Sequence, residues 1–142
     1  MSAGSHTTLG SAHHLHESDR SAALLSLVRR VAVEDRAAFA ELHGALCGVL
    51  TAQLRSATAD HGLADAIVAG TFVEVWWLSR YHTTPDTDVL GWVAAIAVRR
   101  TEEWARHRAP DRSTHHAWIA AGAESYYRQA DVALAEFLDQ PR

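Results

Sequence analysis

Lysine is missing from this chain: its 13 basic residues are all arginine, against 17 acidic ones, for a formal charge of −4. A net acidic chain is an unusual nucleic-acid binder, because neutralised phosphates supply much of the affinity of such proteins. Any role on DNA must therefore rest on a local basic face. A single cysteine, Cys47, excludes an internal disulfide, and its place in an apolar helical pattern points to a buried thiol in a reducing compartment. No run of 18 apolar residues is present, so no spanning helix is expected. The stretch Met1–Arg20 has no apolar centre of the kind a secretory signal needs. A cytoplasmic location is the resulting expectation.

Catalytic constellations are missing as well. There is no glycine-rich phosphate loop, no serine or cysteine with an evident base, and no carboxylate pair within an apolar stretch, so an enzyme is not expected. Histidine is plentiful, with 10 residues, but His13, His14 and His16 lie in a polar N-terminal stretch and His115 and His116 are adjacent. Neighbouring histidines on a helix point apart, and no further ligand pair completes a four-ligand set. Neither a metal nor any other cofactor is expected.

Apolar residues make up 48% of the 142, enough for one packed domain with tails. Residues 1–20, rich in Ser, Gly and His, read as a flexible tail. Residues 21–109 carry successive helical stripes. A short first helix places Leu24, Leu25, Val28 and Val31 on one side. Asp35 is suited to cap a second helix, whose stripe is Phe39, Leu42, Leu46, Val49, Leu50 and Leu54. Asp60-His61-Gly62 breaks it. A third helix over residues 63–80 has Ile67, Val68, Phe72, Val75 and Trp76 as its apolar face. After a loop in which Pro85 drives Thr84 out of helical geometry, a fourth helix starts near Asp86 or Asp88. It carries Val89, Val93, Ile96 and Ala97 and ends at Ala109-Pro110-Asp111. Residues 110–142 hold one further amphipathic pattern, with Tyr126, Ala130, Ala133, Leu134, Phe137 and Leu138 on one face. The spacing predicts an all-α, compact helical bundle with an extra C-terminal helix.

Three segments give the bundle a resemblance: Asp35-Arg36-Ala37-Ala38-Phe39-Ala40-Glu41-Leu42, Phe72-Val73-Glu74-Val75-Trp76, and Gly91-Trp92-Val93-Ala94-Ala95-Ile96-Ala97 leading into Arg99-Arg100. In this order and spacing they resemble region 2, the core-binding and promoter-melting domain, of extracytoplasmic-function sigma factors of the sigma-70 family. The helix-turn-helix reader of region 4 that follows in such factors has no counterpart here. The resemblance implies that Asp65, Ala69, Phe72, Glu74, Trp76 and Trp77 meet RNA polymerase core or another partner. It implies that Arg80, Tyr81, His82, Trp92, Arg99, Arg100, Trp104 and Arg108 meet promoter −10 DNA, with Tyr81, His82 and Trp92 near a pocket for a flipped base.

Each of these expectations has a rival. Where the family carries acid, Thr, Gln and Glu on its contact helix, this chain has Ala66, Val68, Ala69 and Gly70. Alanine and glycine supply neither charge complementarity nor register. Trp77 cannot share a face with Trp76, so it either packs under the last helix or awaits a partner. Trp92 reads first as a core residue. Arg99 has Glu102 and Glu103 within helical reach, so the arginine cluster is either a nucleic-acid surface or a self-paired face. The first functional reading is a sigma-like regulator of transcription initiation acting on polymerase core and promoter DNA. The alternative is an interaction module that has kept the fold, lost promoter melting, and binds an anti-sigma factor or other regulator. Homodimerisation through Trp77 or the last helix is compatible with both.

Overall fold

The structure, a computed structural model, describes residues 8–108 together with Leu134, Ala135 and Leu138, with side chains from 13 to 107 and at those three. Helix α1 spans Thr8–Val31, α2 Arg36–Ala57, α3 His61–Leu78 and α4 Val89–Arg108; a single 3-10 turn, Ser79–Tyr81, extends α3. No strand occurs among the described residues, and the all-α bundle stands.

One boundary differs from expectation. Thr8–Asp19, read as part of a flexible tail, forms the first half of α1, and from His13 to Ala23 it lies exposed to solvent. Its Ser, Gly and His residues obscured a helix that becomes apolar only at Leu24. The C-terminal helix expected up to Leu138 lies mostly outside the described residues, as does its start near Pro110. Leu134, Ala135 and Leu138 are helical, with Leu134 buried and Leu138 exposed.

Local chemistry sets the helix ends. The Asp35 carboxylate accepts from the Ala38 amide at 3.0 Å and so caps α2. That amide, with the Arg30 side chain, holds the Asp35 carboxyl below the ordinary carboxylate range. The turn before it closes by backbone hydrogen bonds, the Glu34 N–H donating to the Val31 carbonyl and the Asp35 N–H to the Arg30 carbonyl. Glu34 takes a left-handed φ of 63° to do so, in the place where glycine usually stands. Asp60 caps α3 by accepting from Leu63 at 3.0 Å, so the break expected at Asp60 is also the start of the next helix. Asp88 accepts from Gly91 at 3.0 Å at the head of α4.

The core runs through all four helices. Leu24, Leu25, Val28 and Val31 meet Phe39, Leu42, Leu46, Leu50 and Leu54; Ile67, Val68, Phe72 and Val75 meet Val89, Val93, Ile96 and Ala97. α1 packs on α2 and α4, and α3 lies between α2 and α4. Val49, expected on the core stripe, is instead exposed, because the stripe steps from Leu46 to Leu50 and carries 49 outward. Cys47 is half-buried against the core. α2 and the run His61–Tyr81 have a span's length and mean hydropathy, both 1.2, although neither contains 18 unbroken apolar residues. The stripes that raise those averages line the shared core.

His43 is a polar ring that the sequence stripes passed over and that packs toward the core. It meets the edge of Phe72 with centroids 4.7 Å apart, and burial pushes its pKa below the ordinary 6.5. The neutral ring is thus favoured in the folded state, while the unfolded chain takes up the proton near pH 6.5. Stability should be fully present above that pH and fall on acidification until the folded-state value is passed. Thermal melts from pH 7.5 down to 5 should show this decline, and His43→Leu should remove the part lying between pH 6.5 and 5. A decline of the same size in the variant would refute the assignment.

Candidate functional site

α3 and α4 hold nearly all the residues singled out for partner and DNA contact, and their packing decides which of them remain available. Glu74 projects from α3 toward α4. One of its carboxylate oxygens accepts from Arg100 through Nε at 3.0 Å and Nη2 at 2.7 Å, and the other accepts from Arg99. Arg99 also binds Glu103 one turn on at 2.9 Å. These carboxylates, Glu74 first, hold Arg99 more firmly protonated than an ordinary arginine. Glu74, expected at polymerase, and Arg99 and Arg100, expected on DNA, therefore bind each other.

Burial makes the same point. The Arg100 side chain is only 7% exposed and that of Glu74 18%. Arg100 continues the stripe of Val89, Val93 and Ile96 down the inner side of α4, and Trp104, one turn further, packs against the core. The face shared by Arg100 and Trp104, expected to meet a DNA backbone, is thus the inner face; the Arg108 side chain lies outside the described residues. Position 100 could have been found by extending the apolar stripe one more turn, since a residue at that register must be buried whatever its charge.

Other residues are corrected in the same sense. Phe72 is fully buried and Ala69 is 2% exposed, so neither is a surface contact. Phe72 and Trp76 instead meet the edge of Phe39, at centroid distances of 6.4 and 5.3 Å. Asp65 forms a two-oxygen pair with Arg55 of α2, at 2.9 and 3.0 Å. Sequence spacing could not have shown that pair, which crosses the α2–α3 turn.

The available residues gather where α3 runs into the 3-10 turn. Trp77 is 58% exposed and Tyr81, one turn later, 72% exposed, with the exposed Arg80 between them. Arg80 makes no ion pair among the described residues. Beside this corner His82 stacks on Trp92, centroids 4.0 Å apart and planes 18° from parallel. Trp92 itself is partly buried against the core. Arg29 of α1 secures the loop by donating to the Thr83 carbonyl at 3.0 Å. Chemically, the corner offers two indole or phenol faces and one guanidinium on a rigid helical base. It lacks any nucleophile with an adjacent base, and no metal-binding group of three His, Cys, Asp or Glu side chains forms among the described residues. Set against family models, curated proteins and solved structures, the chain finds no match in any of the three.

Proposed function

We propose that this chain is a protein-interaction module on a sigma region 2-like bundle, linked to transcription initiation by that resemblance, and that it docks through Trp77, Arg80 and Tyr81. The observation that supports this most is the Glu74–Arg99–Arg100 bridge: it engages Glu74 of one expected surface with two arginines of the other, and Arg100 is buried with it, although Arg99 stays partly exposed. Trp77, Arg80 and Tyr81 are exposed together at one corner, and Trp, Tyr and Arg are the three residue types that dominate hot spots in protein interfaces. The acidic total charge supports the same reading, since a docking surface of this kind needs no excess of cations. RNA polymerase core and an anti-sigma-type regulator are the partners to try first.

A second reading, capture of an unpaired base beside the loop, draws on the His82–Trp92 stack and the exposed Tyr81. Stacking there would contribute about 1–3 kcal/mol per base. The two readings separate in a binding series with purified core polymerase and a candidate regulator. Trp77→Ala and Tyr81→Ala should each weaken the bound complex about 30-fold, the effect of losing a hot spot worth about 2 kcal/mol. Both variants should keep the parent's melting profile. Complexes of unchanged affinity in both variants would remove the corner from the interface and with it this reading.

A further inference from the structure

Several arginines of the bundle are neutralised by carboxylates: Arg30 by Asp35, Arg55 by Asp65, and Arg99 and Arg100 by Glu74. Two that are not stand at the corner after α3. Arg80 is exposed and makes no ion pair among the described residues. Arg29, exposed in the last turn of α1, donates from Nε to the Thr83 carbonyl at 3.0 Å. That bond leaves both of its Nη groups without a carboxylate among the described residues. Thr83 follows Arg80 by three residues, and the 3-10 turn packs on α1. The fold thus carries Arg29, 54 residues before Thr83 in the chain, to the loop that begins beside Arg80.

The chemistry of the corner is therefore two guanidinium groups beside the open rings of Trp77 and Tyr81. A guanidinium takes a carboxylate in a two-pronged bond, and an indole or phenol ring covers a large apolar side chain. The surroundings limit the size of the anion. Asp86 and Asp88 stand exposed further along the same loop, and Glu34 is exposed just past the end of α1. A strand of phosphates running off the two arginines toward either element meets these carboxylates, and two cations release few counterions. A short peptide with one or two carboxylates ends before it reaches them. The local positive pair complements such a peptide even though the whole chain carries −4.

We infer that this corner receives an acidic peptide segment of a protein partner, its carboxylate held by Arg29 and Arg80 and a neighbouring large apolar side chain laid on Trp77 and Tyr81. The inference rests on the docking reading proposed above and adds to it the chemistry of what docks. Arg29 then serves twice, its Nε holding the loop at Thr83 and its Nη groups taking the carboxylate.

The test is selection from a random peptide library displayed on phage, panned against the immobilised full chain. Enriched sequences should place Asp or Glu close to Phe, Trp, Leu or Ile. A fluorescein-labelled peptide of the enriched sequence, titrated by anisotropy, should bind about 10-fold more weakly to Arg80→Gln and to Arg29→Gln. Arg80→Glu should weaken it further, and added salt should reduce binding to the parent. If Arg29→Gln lowers the melting temperature, by freeing the loop at Thr83, the two Arg80 variants decide, since Arg80 holds no ion pair in the fold. Enrichment of basic or uncharged sequences overturns the inference, as does an affinity unmoved by the Arg80 variants, or no enrichment at all. Such sequences would leave the docking reading standing if Trp77→Ala still weakens them, and would remove it as well if neither Trp77→Ala nor Tyr81→Ala does. Oligothymidylate that displaces the peptide, and itself binds less well to Arg80→Gln, would make the occupant a nucleic acid and overturn the inference equally.

Discussion

Replacing Phe72 by alanine should unfold a large fraction of the protein's stability without selecting against any partner. The ring is fully buried, with Phe39 at 6.4 Å and His43 at 4.7 Å between centroids. Phe→Ala at such a site costs about 3–5 kcal/mol through lost burial and the cavity left behind. Total stabilities of domains run to about 5–15 kcal/mol, so the loss is a substantial share. Urea melts followed by circular dichroism should show the midpoint falling with little change in slope. Trp77→Ala, on the exposed face of the same helix, should shift stability by no more than about 0.5 kcal/mol. The contrast reverses what the family resemblance implies for Phe72. A Phe72→Ala protein of parental stability that had lost a partner would restore it as a contact residue.

Glu74→Gln should be nearly as damaging, for an electrostatic reason. The substitution leaves the shape of residue 74 intact but strips the carboxylate that accepts from both Arg99 and Arg100. Arg100 remains buried with its charge, and removing one partner of a fully buried pair costs about 3–5 kcal/mol. Glu74 is 18% exposed, so some water reaches the bridge, and we expect about 2–4 kcal/mol. Replacing both ends, Glu74→Met with Arg100→Met, should recover most of the loss, because an apolar pair carries no desolvation penalty. A double-mutant cycle of urea melts measures this directly. Additive losses would mean that the two helices are not locked by this bridge.

The sequence stripes located the core well because a helix presents every third or fourth residue to one side, and that rule needs no knowledge of neighbours. Leu24 to Val31, Ile67 to Val75 and Val89 to Ala97 all fell where the spacing put them. Val49 failed because two candidate stripes overlap on α2, and only the packing of α1 and α3 selects between them. The polar start of α1 failed because Ser, Gly and His carry little helical signal of their own. Site residues were less legible. Spacing gave the local Arg99–Glu103 pair. It could not give the bridge from Glu74 to Arg99 and Arg100, which depends on how α3 and α4 are rotated against each other. Once that rotation is known, the motif residues Phe72, Glu74 and Arg100 become internal supports, and Trp77, Arg80 and Tyr81 become the exposed set.

The central proposal is that Arg99 and Arg100 of α4 serve the packing of α3 on α4 rather than a DNA surface. Fluorescence anisotropy of a labelled single-stranded oligonucleotide carrying a −10-type sequence, titrated with the full chain at low and at moderate salt, tests it. The account predicts no saturable binding at micromolar protein under either condition. Saturable binding that weakens steeply with salt, and is lost on replacing Arg99, would contradict it.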